Sequence, residues 1–347
     1  MPDPALPVTV ETEAQLEELL SRPSAADVAF ARDLAGDVAV LGAGGKMGPS
    51  LARRLRRACE AAGVERSVTA VSRFSKPGVA ASLEHDGIAT LACDLLDPAA
   101  VAALPEAGDV LFLAGMKFGA TADPGLTWAL NTIVPANVAR RYPGARVVVF
   151  STGNVYPLVE PDSGGCSERD ATGPVGEYAQ SCLGRERVFE HFSRASGTPC
   201  LLFRLFYAVD LRYGTLVDVA RRVHAGQPVD LSVPCFNAIW QGDALSYAIR
   251  SLALCETPPR PLNVTGEHVL PVRRVAEHFG RLFAREPRFT GAEGPRALLG
   301  DAHECHRLLG PPEVSTDRLV AWVADWVAGG GRSLGKPTGY EKADGRF

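Results

Sequence analysis

Residues 37–48 read DVAVLGAGGKMG: a short apolar run, then glycines at 42, 45 and 48 with a further glycine at 44. An apolar strand that breaks into such a turn has a physical purpose. Residues without a Cβ let the backbone approach a pyrophosphate, and the last glycine lets the following helix pack tightly on the strand. The helix N-terminus then offers unpaired N–H groups to an anion. PSLARRLRRACEAAG follows with helical periodicity, and Pro49 is tolerated in a first turn. The stretch is therefore expected to bind a dinucleotide through Gly42, Gly44, Gly45, Lys46, Met47 and Gly48.

Working outward, SVTAVSRFS (67–75), ATLACDLLD, DVLFLAG, ARVVVFSTGNVYP (145–157) and PCLLFRLF read as further strands. Helical patterns separate them, including one over 124–141 and EYAQSCLGRERVFEHFSRAS. Strands and helices alternating at this pitch predict βαβ units. The expected fold class is α/β, a Rossmann-type doubly wound parallel sheet with a smaller C-terminal mixed α/β substrate lobe. The expected divisions are an N-terminal helical extension (1–35), a dinucleotide-binding domain (36–205, with 236–255), and a lobe (206–235 and 256–334). The tail 335–347 has too little apolar content for a core of its own and is expected to be an extended arm or mobile.

The residues after the second strand bear on the cofactor. An acidic residue there would bind a ribose 2′-hydroxyl and favour NAD, but the chain has Ser72 and Arg73. A hydroxyl beside a guanidinium suits a 2′-phosphate, so NADP is expected, with NAD the alternative. Asp94 and Leu95, after the third strand, are expected at the adenine.

Composition excludes several classes. The 347 residues carry 36 basic and 40 acidic side chains, a net charge of −4, and no long basic run, so no nucleic-acid partner is expected. No apolar stretch reaches membrane-spanning length, and the N-terminus has no signal-peptide pattern. The 8 cysteines are scattered without CxxC pairs, which suits reduced thiols in a cytoplasm. HECH (303–306) lacks a second cluster of ligands, so His303, Cys305 and His306 are expected on a helix surface, with no metal site.

Taken together, GAGGKMG, CDLLD, FLAGMKFG, NTIVPANV, FSTGNVYP, EYAQSCLGRE and WQGDALSYAIRSL resemble the extended short-chain dehydrogenase/reductase superfamily, the NAD-dependent epimerase/dehydratase family. The resemblance spans roughly 38–255. It implies a bound nicotinamide cofactor, contacted also by Ala114 and Gly115, a C-terminal substrate lobe and a homodimer. It also implies that Thr152 is the catalytic hydroxyl, Tyr178 the catalytic tyrosine and Asn131 a supporting asparagine. The family pattern breaks four residues after the tyrosine, where Cys182 replaces a lysine whose charge lowers the phenol pKa.

Three readings follow from that break. Another cation substitutes, with Lys117 the leading candidate, while Lys46 is expected to be occupied at the phosphates and Arg185 and Arg187 to point to other faces. Alternatively Cys182 itself acts, or the protein is a nucleotide-binding sensor or assembly subunit. On the substrate side, Asn154, Tyr207, Arg212, Asn237, Trp240 and Gln241 are expected to bind a sugar-like polyol, by aromatic faces plus directed polar groups. Tyr213 and Asp243 stand beside them. Trp322 and Trp326, four apart on the last helix, are expected in the core.

Overall fold

The computed structural model describes residues 6–117, 119–336, 338–342 and 344–345. Six strands follow the expected order: β1 (Val38–Leu41), β2 (Val68–Ser72), β3 (Ala89–Ala92), β4 (Asp109–Phe112), β5 (Arg146–Thr152) and β6 (Cys200–Leu205). They lie in the spatial order 3-2-1-4-5-6, every neighbouring pair parallel. A seventh strand, Arg260–Val264, pairs parallel with β6. Those residues were expected in the lobe. Pairing with β6 assigns them to the main sheet instead, where Leu262 and Val264 join the same apolar cluster as Leu245 and Ile249 of the helix Gln241–Arg250.

Each face of the sheet is covered. The helix Gly48–Ala62 buries Leu51, Leu55 and Cys59 on one face, and Gly63 ends it in the left-handed conformation at φ 66°. On the other face Val138 and Phe189 pack over Val147 and Val149. The region 124–141 is helical throughout but carries one wider π turn at Ala129–Ile133. β3 is an exposed edge, unlike the buried strands beside it.

Two N-terminal helices, Glu13–Ser21 and Ala25–Ala31, both begin with a capping box, Thr12 with Gln15 and Ser24 with Asp27. They do different work. Leu16, Leu19 and Leu20 enter the core of the second lobe, whereas Phe30 and Ala31 enter the core of the sheet. Asp27 is fully buried and accepts from Arg54 Nε at 2.7 Å and Ser246 Oγ at 2.6 Å, so the two helices are tied to those that cover the main sheet by a buried ion pair. In the lobe, the helices Thr215–His224, Val272–Leu282 and Thr316–Ala328 pack around Trp240, Trp322 and Phe279. No helix among the described residues is long and apolar enough to cross a membrane.

Candidate active site

Strand order reverses between β1 and β4, and in such sheets ligands bind at the carboxyl ends of the strands beside that reversal. Here the two strand ends touch. Gly42 has φ 90°, and a Cβ on it would lie 2.6 Å from the Ala114 nitrogen. A Cβ on Gly44 would lie 2.7 Å from Ser72 Oγ, and one on Gly48 only 2.5 Å from the Ala43 Cα. Side chains are therefore excluded at these three positions of the turn. No side chain caps the helix that follows, and its first turn holds no acidic residue. Its N–H groups thus remain for an anion, so the turn fits a dinucleotide pyrophosphate.

Where the adenine was expected, Ser72 is half-buried at the end of β2 and Arg73 is exposed beside it. Asp94 is exposed, and its carboxylate accepts from the Leu96 amide at 3.0 Å, which shapes the loop. Leu95 is buried, its carbonyl held by Asn137 Nδ2 at 3.0 Å.

At the other end, Thr152 closes β5 and Tyr178 stands in the first turn of the helix Gly176–Ser196. Both line one cavity, and the Thr152 hydroxyl is near enough to favour the phenolate. Thr152 Oγ1 also accepts from Asn154 Nδ2 at 3.0 Å. Burial pushes the Tyr178 phenol far above its ordinary value. The neighbouring Cys182 pushes the same way, while Arg185 and the Thr152 hydroxyl oppose it. Cys182 is fully buried, and burial raises its thiol as well.

Two cations attend this phenol. The Lys117 ammonium lies 5.9 Å from the Tyr178 ring centroid, in the loop after β4. Burial lowers its pKa to about 8, against the favourable charges of Cys182 and Asp218. Arg185, expected on another face, is the second. Tyr178, Cys182 and Arg185 are spaced i, i+4, i+7 and share one stripe of the helix, with Cys182 and Arg185 buried and Tyr178 half-buried at the cavity. Its guanidinium donates to the Phe150 carbonyl at 2.6 Å and to Asn131 Oδ1. Asn131 also binds the 116 backbone in both directions, through Met116 N at 3.1 Å and Met116 O at 3.2 Å, and donates to Ser181 Oγ at 2.8 Å. The asparagine therefore sets the loop that carries Lys117 and the arginine beneath the tyrosine. The i+7 spacing was the available sequence signal for Arg185.

A cavity of about 170 Å³ opens beside the phenol, lined among others by Lys46, Met47, Lys117, Thr152, Tyr178 and Tyr207. Lys46 was expected to be occupied at the phosphates. Its ammonium instead reaches across to the lobe and sits 4.2 Å from the Tyr213 ring centroid. Asn154 and Tyr207 both line this cavity. Four other expected substrate residues do not, because each is consumed in packing. Arg212 is clamped by Asp210 and by Glu17 at 2.7 Å each. Asn237 holds backbone at Gly300 N and His268 O. Trp240 packs edge-on against Trp322 at 5.4 Å, and Gln241 is fully buried at a helix start. Asp243 is buried too, holding the Val314 amide at 3.1 Å. Elsewhere, Cys305 is buried in the helix His303–Leu309 and His306 meets the Thr265 carbonyl at 3.2 Å.

Comparisons with known proteins bear on the family and the fold. Residues 38–234 match the profile of the NAD dependent epimerase/dehydratase family, more than half the chain. The chain belongs to that family. No curated protein matches it by sequence. Among solved structures, UDP-glucuronic acid 4-epimerase from Bacillus cereus in complex with NAD is similar at TM-score 0.70 and 16% identity, covering 84% of this chain and 98% of its own. UDP-Glc/GlcNAc 4-epimerase from Campylobacter jejuni aligns at TM-score 0.67 and 21% identity, with coverages of 84% and 98%. UDP-glucose 4-epimerase from Thermus thermophilus in complex with NAD aligns at TM-score 0.67 and 19% identity, with coverages of 83% and 98%. At these identities the likeness is one of fold. It places the chain's seven-stranded sheet among the Rossmann-type epimerase folds, and family membership makes the chain one of an NAD-dependent class.

Proposed function

We propose that the protein is a nicotinamide-dependent oxidoreductase or epimerase acting on a carbohydrate-like hydroxyl or carbonyl. One observation carries this reading: a threonine hydroxyl and a tyrosine phenol from different elements share the wall of one cavity, with Lys117 and Arg185 beside the phenol. Tyr178 exchanges the proton of the substrate oxygen, and Thr152 holds that oxygen in line with the phenol. The nicotinamide, when bound, supplies the hydride acceptor or donor. The glycine turn holds its pyrophosphate, and Asn154 and Tyr207 orient the substrate.

In place of the family lysine, Lys117 supplies mobile charge and Arg185 a fixed one. A unit charge ~6 Å away at an effective dielectric of ~20 is worth about 2–3 kcal/mol. Lys117→Ala is therefore expected to lower kcat/KM by about 10–100-fold at neutral pH. The sign with pH follows from the depressed pKa. The ammonium is present below about pH 8 and lost above it, so wild-type activity in the proton-abstracting direction should fall off above that point. Lys117→Arg should hold its rate there. Pre-steady-state rates across this range decide it, and an unchanged rate in the alanine variant removes Lys117 from the mechanism.

For the cofactor, Ser72 and Arg73 support a 2′-phosphate and hence NADP over NAD. Arg73→Ala should weaken NADP about tenfold or more, the loss of ~1.4 kcal/mol, and leave NAD unchanged. Calorimetric titration of both dinucleotides tests this, and equal loss for the two would dismiss the preference.

A second reading has its own support. The phenol is pushed upward by burial and by Cys182, the opposite of what a general base needs. A sensor that binds dinucleotide without turning it over has no use for a tuned tyrosine. Binding of cofactor with no hydride transfer to any member of a sugar and sugar-acid panel favours that reading.

A further inference from the structure

Arg212 joins three parts of the molecule at one point. The loop 210–214 that carries it leads from the short strand Ala208–Val209 into the helix Thr215–His224. Asp210 and Tyr213 close that loop on itself through two backbone bonds, at 2.9 and 2.7 Å. Tyr213 meets the glycine turn, since the Lys46 ammonium sits over its ring. Tyr213, Gly214 and Thr215 also line the cavity together with Lys46 and Met47. Turn and loop are therefore two walls of one cleft.

Asp210 is fully buried and accepts from two nitrogens of the Arg212 guanidinium, Nε at 3.0 Å and Nη2 at 2.7 Å. That pair shapes the loop from within. The remaining nitrogen, Nη1, reaches out of the loop and donates to Glu17 Oε1 at 2.7 Å, on the N-terminal helix Glu13–Ser21. The other oxygen of Glu17 accepts from Ser50 Oγ at 3.1 Å, in the first turn of the helix behind the glycine turn. One carboxylate thus ties the loop to that helix. Glu13, one helical turn before Glu17, adds a longer contact to Arg212 at 3.6 Å and pairs with Arg332 at 3.0 Å. The Arg212 carbonyl is held as well, by Leu334 N at 3.0 Å. Glu17 has its place because Leu16, Leu19 and Leu20 seat its helix in the core of the lobe, while Asp27 fixes the next helix to Arg54. This extension lies ahead of the family-matched residues.

We infer that the loop 210–214 is a clasp over the bound dinucleotide and that Glu17 of the N-terminal extension is its latch, a positioning residue that acts through Arg212. A dinucleotide on the glycine turn lies between turn and loop. It enters or leaves when the loop swings off the turn, and that swing separates Arg212 from Glu17. Neither Glu17 nor Arg212 lines the cavity, so opening is as hard with the dinucleotide bound as without it. The latch therefore sets the rates of exchange and leaves the equilibrium affinity alone. At 10% and 34% side-chain exposure, the pair is sheltered enough for a strong charge-assisted bond and open enough for salt to screen it. The clasp rests on the reading of the glycine turn as the dinucleotide site and is independent of turnover.

The test is stopped-flow fluorescence of NADH and of NADPH binding to the full-length protein, with calorimetry for Kd. Glu17→Gln and Glu17→Ala should each raise the association and dissociation rate constants together, by about tenfold. Kd should stay within about twofold of wild type, which damage to the cradle would not allow. Salt makes the same break without a mutation: potassium chloride should speed release from wild type more than from Glu17→Gln. Unchanged rates in both variants, faster release matched by an equal loss of affinity, or the same salt response in wild type and variant overturns the clasp. Failure of the site reading looks different: neither reduced dinucleotide binds the wild-type protein, and the clasp falls with it.

Discussion

Tyr178→Phe is expected to reduce turnover by about 10²–10⁴-fold, the range typical of a lost general acid–base group, and to leave cofactor affinity unchanged. The separation of the two effects follows from where the groups stand. The phenol faces Thr152 and the cavity, while the glycine turn that holds a dinucleotide is built from the ends of β1 and β4. Removing one oxygen costs the proton path and no part of the cradle. Since burial and Cys182 hold the phenol above its ordinary value, its protonated form dominates at neutral pH. The wild-type rate in the reducing direction, where the tyrosine donates, should exceed that in the oxidising direction. Hydride transfer followed at the reduced-nicotinamide absorbance reports both. Turnover in the phenylalanine variant comparable to wild type would end the proton-transfer role, and a parallel loss of cofactor affinity would recast Tyr178 as a binding residue.

The largest stability effect is expected at Arg204→Met. Arg204 on β6 and Glu186 on the tyrosine helix form a two-point ion pair, Nε–Oε1 at 3.0 Å and Nη2–Oε2 at 2.7 Å. Both are buried, at 6% and 0% side-chain exposure. The same guanidinium donates to the Tyr156 hydroxyl at 2.6 Å, which in turn bonds Asn263 at 3.0 Å on the seventh strand. Ser151, adjacent to Thr152, donates to the same glutamate at 2.5 Å. Removing the arginine alone strands a carboxylate in the core, which costs about 3–5 kcal/mol. Replacing both partners, Arg204→Met with Glu186→Leu, should recover most of that loss, since no charge is then left without its mate. Denaturant unfolding of the single and double variants decides this. A single-variant loss below ~1 kcal/mol would mean that water reaches the pair. Because Ser151 and Thr152 are consecutive, the single variant should also slow turnover by loosening the hydroxyl's position.

Much of the site was legible because its parts are local in sequence or repeat at a fixed period. The glycine turn declares itself by spacing, and the alternation of apolar strands with helices declares the sheet. Thr152 and Tyr178 were picked out by the family resemblance, which puts a hydroxyl after that strand and a tyrosine on the helix that follows. Side-chain direction was harder. Arg185 was expected to face away, yet its i+7 offset from Tyr178 puts it on the same stripe. Arg212 and Trp240 have the right chemistry for a polyol, but an aspartate two residues away and a tryptophan 82 residues on claim them for structure.

Local order along the chain thus settled which segments become strands and helices, and that a glycine turn joins the first strand to its helix, because those outcomes depend on steric rules and on periods of two or 3.6 residues. Tertiary packing alone decided which charges surround the phenol. Lys117 and Arg185 come from the loop after β4 and from the tyrosine helix, 68 positions apart. Their convergence depends on how the layers pack, a contact between distant residues that no local period encodes.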